Sequence, residues 1–167
     1  IAVTSSGVNA LMIAMQALVD AGDEVVVVVP VWPNLPAQPA ILGGRVVRFS
    51  LEVHDAAWRL DLQALLHTVT QRTRVLLINS PNNPTGWTIE RSSQRVLLEH
   101  CRRHGIWIVA DDAYERLYYA DDSATERPPK IACAPSFLDL VERDERVVGA
   151  NTFSKSWLMT GWRLGWV

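Results

Sequence analysis

Several kinds of residue that mark specialised chains are scarce in this one. Only two cysteines occur, Cys101 and Cys133, far apart in the chain. They exclude a disulfide framework and a four-ligand zinc site and read as ordinary thiols of a reducing compartment, which points to the cytoplasm. Neither sign of charge is in excess, with a formal net charge of −2, so there is no electrostatic case for a nucleic-acid partner or an anionic membrane. The longest wholly apolar run, Val25 to Trp32 with Pro30 inside it, is far too short to cross a bilayer. The four histidines, His54, His67, His100 and His104, have no third ligand in company, which argues against a metal site. Low-complexity tracts, internal repeats and a signal-peptide pattern are missing too. There is no initiator Met, and Ile1-Ala2-Val3 and Leu164–Val167 both read as the inside of strands. A piece cut from a longer protein is therefore expected.

What remains is the composition of one globular domain. The 167 residues are 49% hydrophobic and 20% charged, enough apolar material for a real core. Ile1–Thr4 reads as a strand, and Val8, Leu11, Met12, Met15, Leu18 and Val19 then fall on one helical face, with Gly22 in the C-terminal capping role. Val25–Val29 is an unbroken valine run, the mark of a strand buried on both faces. Arg45–Phe49, Val75–Ile78, Ile106–Ala110 and Val147–Asn151 read as further strands. Helices are expected over Asp61–Val69 and Ile89–His104, the latter with Val96, Leu97 and Cys101 inward and Gly105 as its stop, and a short helical piece over Ser136–Val141. The polar stretch Tyr118–Lys130, with Pro128-Pro129, reads as an exposed loop or insertion. Strands alternating with helices predict an α/β fold with a doubly wound, mostly parallel sheet and helices on both faces.

In such sheets ligands bind beyond the carboxyl ends of the strands, and the unusual residues all fall there. Ser6-Gly7 follows the first strand, Trp32 the valine strand, and Asn83 the run VLLIN. Asp111 ends IWIVA, and Lys155 follows VVGAN. A lysine at a buried strand end is costly unless something pairs with it or reacts with it, and amines that form Schiff bases need such a site. Arg163, eight residues on, has the planar fork of donors that holds a phosphate. The plain alternative is a surface lysine and a structural arginine. Ser6 and Gly7 before a helix offer N–H groups and hydroxyls to an anion, although a serine N-cap is the commoner use. Trp32 can stack on a planar ring or merely pack against its prolines. Asn82 and Asn83 can donate to a phenolic oxygen or serve the Asn-Pro turn. Asp111 suits a protonated ring nitrogen; its plain reading is a helix N-cap, with Asp112 the more exposed candidate for that role. Tyr114 can donate to a phenolate oxygen or be a core tyrosine with a satisfied hydroxyl. Six of the seven tryptophans, Trp58, Trp87, Trp107, Trp157, Trp162 and Trp166, are assigned to packing.

The ordered motifs SPNNPTG at 80–86, DDAY at 111–114, TFSK at 152–155 and MTGWR at 159–163 together resemble a class I/II aminotransferase, a pyridoxal-phosphate enzyme of fold type I. The resemblance runs through the whole chain. It implies that residues 1–167 are the cofactor-binding core of the large domain. It implies further that Lys155 forms the Schiff base and carries the proton, that Asp111 pairs with the pyridine nitrogen, and that Tyr114 and Asn83 bond the 3′ oxygen. Trp32 would stack on the ring. Ser6, Gly7 and Val8 would form the phosphate loop, with Thr152 and Arg163 as its other contacts. Val8 lacks the hydroxyl some members have there, and Thr152 stands for the commoner serine. The resemblance also implies an amino acid and a 2-oxo acid as substrates and a homodimer as the assembly. The family's arginine for the substrate carboxylate and the partner's N-terminal residues are not in this sequence, so the 167 residues alone are not expected to turn over substrate. Two other readings share the motifs: a β-lyase of the same fold, and a transaminase-like ligand-sensing domain of a transcription regulator. A plain nucleotide-binding fold fits worst, since no G-x-G-x-x-G follows the first strand.

Overall fold

A computed structural model describes residues 1–119 and 133–167, so most of the polar stretch Tyr118–Lys130 lies outside the described residues. The central feature is β2, Glu24–Val29, whose valines 25 to 28 are almost completely excluded from water. It pairs in parallel with β3, Arg45–Ser50, on one side and β6, Thr73–Asn79, on the other. Beyond β6 come β7, Trp107–Asp111, and β8, Val147–Thr152, also parallel. Then β9, Gly165–Trp166, runs antiparallel between β8 and β1, Val3–Thr4. The seven-stranded order is β1-β9-β8-β7-β6-β2-β3.

Alternate residues of each central strand enter opposite cores, as a period of two requires. Val25, Val27, Val75, Leu77 and Val109 pack with Leu11 and Met15 of α1, Gly7–Leu18, and with Leu35 of α2, Asn34–Ile41. Val26, Val28, Leu76, Ile78 and Ile108 pack on the other face. There they meet Leu65 of α3, Leu62–Thr68, and Leu97 and Cys101 of α4, Arg91–His104. Each such side chain contributes about 1.5–3 kcal/mol on burial. The expected doubly wound sheet is the fold observed.

Two elements have no clear signal in the sequence. α2 carries Pro36 and Pro39. Pro36 lies in the first turn, where a missing N–H removes no helical bond. Pro39 does remove one, and burial of Leu35 and Pro39 offsets the loss. Gln38 adds a tie, donating from Nε2 to the carbonyl of Val8 at 3.0 Å. The hairpin of β4, Glu52–His54, and β5, Ala57–Arg59, turns on Asp55 and Ala56, with φ of +50° and +59°. That conformation normally calls for Asn-Gly, so nothing in Asp-Ala announces it.

Four local expectations are corrected. Gly22 does not cap α1, whose cap is Val19; it sits in the following turn at φ +93°, its N–H donating to the Gly43 carbonyl. Val96 faces solvent, and Gln94 takes the inward place on α4, held by the Pro135 carbonyl at 2.9 Å. Trp162 is exposed rather than packed. Asp112 is buried, not the exposed partner of Asp111.

Candidate active site

The strands stop together, and the turns leaving them line one cavity of about 250 Å3. Asn79 and Asp111 are register partners at the ends of β6 and β7, and Thr152 ends β8. α1 starts beside them at Gly7. Gly7, Val8, Trp32, Asn83, Asp111, Tyr114, Thr152, Lys155 and Arg163 all line this cavity, so nine of the ten residues singled out in the sequence converge. The tenth, Ser6, is buried just behind as the N-cap of α1, its Oγ accepting from the Asn9 N–H at 3.1 Å.

One end of the cavity is a cradle for an anion. The first-turn N–H groups of α1 have no partner within the helix, and the helix dipole adds positive character there. Thr152 packs so closely that a Cβ on Gly7 would lie 2.9 Å from its Cβ. Thr152 Oγ1 accepts from the Ser154 N–H at 3.1 Å, which fixes the turn leading to Lys155. Arg163 sits on the rim at φ +48°, its Nη1 donating to the Thr160 carbonyl at 2.9 Å. That backbone conformation costs an L-residue about 1–2 kcal/mol.

The other side of the cavity carries the polar groups for a ring. Asn83 Nδ2 donates to Tyr114 Oη at 3.2 Å, so amide and phenol converge on one point. Asp111 is buried with one oxygen accepting from the Ala113 N–H at 3.2 Å. Burial pushes its carboxyl up to about 6, while that N–H and the Lys155 charge pull the other way. Asp112 points to the opposite face, where Ser136 Oγ donates to it at 2.7 Å. Burial lifts it to about 7; Ser136 opposes the rise, and Asp111, Glu115 and Asp139 add to it. Lys155 differs from the expectation. It is exposed, since the lysine lies three residues beyond β8 in a turn at the cavity mouth, with Nζ 5.7 Å from the Tyr114 ring centroid.

Three contributors are not singled out by the sequence. Asn79 donates from Nδ2 to the Asp111 carbonyl at 3.1 Å and accepts from the Asn83 N–H at 2.8 Å, joining two neighbours of the cavity. Its signal is a polar residue closing an apolar strand. Ser154, buried, also lines the cavity. Gly165 packs under the cradle: a Cβ there would lie 2.5 Å from the Gly7 nitrogen. Nothing local marks that glycine. Among the described residues, no group of three or more His, Cys, Asp or Glu is placed to hold a metal. No helix among them is long and apolar enough to cross a membrane.

The family model described as aminotransferase class I and II matches residues 1–167, the whole chain. The chain belongs to that family. Among curated relatives of this class I/II aminotransferase chain is a probable aspartate/prephenate aminotransferase of Aquifex aeolicus. It is 36% identical over 167 residues, which are 100% of this chain and 40% of the relative. An aspartate aminotransferase of Thermotoga maritima is 35% identical over the same length, 41% of its own. Its crystal structure superposes with a TM-score of 0.82, covering 98% of this chain and 40% of that one. An Escherichia coli protein described with a methionine aminotransferase function gives a TM-score of 0.84 at 29% identity, with 98% and 40% coverage. The chain thus spans about two fifths of the length of the relatives it matches.

The family depends on pyridoxal phosphate, and the residues present fit that group. The cavity offers an anion cradle that side chains at Gly7 and Gly165 would fill, an amine, a single lining carboxylate, a paired amide and phenol, and an aromatic wall at Trp32.

Proposed function

We propose that this chain is the cofactor-binding core of a pyridoxal-phosphate-dependent aminotransferase, moving an amino group between an amino acid and a 2-oxo acid. The observation that carries the reading is the convergence of Lys155, Asp111, the Asn83–Tyr114 pair and the Gly7 cradle on one cavity at the carboxyl ends of the strands. Pyridoxal phosphate, when bound, supplies an aldehyde for amines and an electron-withdrawing ring.

The chain's own residues do the rest. The N–H groups of Gly7 and Val8, the Thr152 hydroxyl and the Arg163 guanidinium hold the phosphate. The Ser6 hydroxyl proton, left free by its capping role, adds a donor. Trp32 stacks on the ring. Asp111, buried and anionic, keeps a proton on the pyridine nitrogen, because a cation beside it offsets the burial that otherwise raises its pKa. Asn83 and Tyr114 donate to the phenolate oxygen. Lys155 Nζ would supply the amine that holds the cofactor's aldehyde, and as a base it would take and return the proton at the substrate Cα. The curated relatives are named as aminotransferases, and nothing in the cavity favours elimination or ligand sensing instead. We also propose a cytoplasmic protein, on its two free thiols, one buried and one exposed, and a homodimer.

The test uses the full-length protein and its Lys155→Ala variant, each given pyridoxal phosphate and then borohydride. A fixed adduct on the parent and none on the variant is expected. Equal behaviour of the two overturns the reading.

A further inference from the structure

Two contacts tie the segment after β7 to the turn after β8, and they mirror each other. Lys155 Nζ lies 5.7 Å from the Tyr114 ring centroid. Two residues further along each segment the roles reverse, with the Arg116 guanidinium carbon 5.4 Å from the Trp157 ring centroid. Each segment gives one ring and one cation, both within the range where the ring quadrupole attracts charge.

The second contact is anchored at both ends. The Trp157 ring packs on Phe153 at 5.1 Å and on Trp166 at 5.9 Å, and those two rings meet at 4.8 Å. Trp166 belongs to β9, so the cluster is fixed to the sheet. Arg116 is steadied by Glu115 at 3.5 Å, and the Glu115 N–H donates to the Asp112 carbonyl at 2.9 Å.

We propose that Arg116 and Trp157 are positioning residues for Lys155, holding the lysine turn against the tyrosine turn so that the amine stays aimed into the cavity. The inference rests on the Schiff-base role proposed for Lys155. Lys155 is an exposed side chain on a flexible four-carbon stem, and rotamer freedom alone would scatter its amine. Its contact with Tyr114 changes whenever the nitrogen changes charge or partner. The Arg116 contact does not, because a guanidinium stays protonated throughout. It therefore holds the turn in register through both halves of the reaction.

The test compares the full-length protein with Arg116→Gln, Arg116→Lys, Trp157→Leu and Lys155→Ala. Pyridoxal phosphate is added to each, and three quantities are read: the rate at which the cofactor's visible band develops, the pH midpoint of that band, and borohydride fixation. Arg116→Gln and Trp157→Leu are expected to slow attachment by about two- to five-fold, the factor that a contact of about 0.5–1 kcal/mol converts to, and to shift the midpoint. Arg116→Lys is expected to keep most of the parent rate, because the cation remains. The melting point of the cofactor-free protein controls for folding, and Trp157→Leu keeps the apolar packing should Arg116→Gln fail to fold. Parent rate and midpoint in the folded variants that lack the cation or the ring overturn the proposal, as does an Arg116→Lys variant as slow as Arg116→Gln. Fixation that survives in Lys155→Ala defeats the underlying reading. Fixation lost there, with parent rates at Arg116 and Trp157, defeats this proposal alone.

Discussion

At the scale of single residues, two adjacent aspartates at one strand end meet opposite fates. Asp111 faces the cavity, and Asp112 faces Ser136, because successive side chains of a strand alternate. The burial of Asp111 could be anticipated from the five apolar residues before it. That of Asp112 could not, since the serine that takes it lies on a distant 3-10 turn, Phe137–Leu140, for which it is the cap. Burial raises Asp112 from 3.8 to about 7. Below the ordinary value both folded and unfolded chains are protonated there, and the full stability is present. As pH rises towards 7 the unfolded chain ionises first, and stability is lost. Asp112→Asn keeps an acceptor for Ser136 and does not titrate. In the cofactor-free, full-length protein it is expected to raise stability by on the order of 1–3 kcal/mol at pH 8 and to give only a small part of that gain at pH 4, close to the ordinary value. Denaturant melts at the two pH values measure this, and a gain equal at both would contradict it. Asp111 is legible as a candidate because a polar residue that closes an apolar strand demands a partner, and Tyr114 because it follows three residues on at the same edge of the sheet. Lys155 was legible by the same argument, although its exposure shows that the cavity mouth, not a buried strand end, is what surrounds it.

At the scale of elements, period decided what the sequence could reveal. The valine run of β2 and the 3.6-residue spacing of α1 come from burial on two faces and on one face, and both could be recognised. The elements without a signal are those in which tertiary contacts override local preference: α2 despite its prolines, and the β4–β5 hairpin despite its turn. Ala56 at φ +59° occupies a conformation in which a Cβ is a burden. Ala56→Gly is expected to stabilise the fold by about 1 kcal/mol, read as a raised melting temperature with unchanged cofactor uptake. A lowered melting temperature would show that the turn adapts to the Cβ.

At the scale of the whole molecule, large apolar side chains gather on the surface beside the cavity mouth. Leu158 is 89% exposed and Trp162 72% exposed, both in the turns between Lys155 and Arg163. Isolated exposed hydrophobics are ordinary, but a pair flanking a binding site fits a face that a second copy covers. The full-length protein is expected to sediment as a dimer. Leu158→Glu combined with Trp162→Glu is expected to shift it towards monomer, and monomeric behaviour of the parent would sink the homodimer. Which faces are covered was not legible in the sequence, because an apolar residue looks the same whether a core or a neighbour buries it.

The placement of β9 bears on how the protein is made. Gly165 lies directly beneath Gly7, and Ala2 and Val167 exchange backbone hydrogen bonds at 2.7 and 2.9 Å. β3, β6, β7 and β8 each pair with a strand that precedes them, so the sheet from β2 onward can assemble as it emerges during synthesis, whereas β1 must wait beside an empty place. The anion cradle, built from the first turn of α1, is completed only by a glycine that the ribosome adds 158 residues later. A nascent chain thus gains its sheet before it can grip a phosphate, and cofactor capture is a late event in its life.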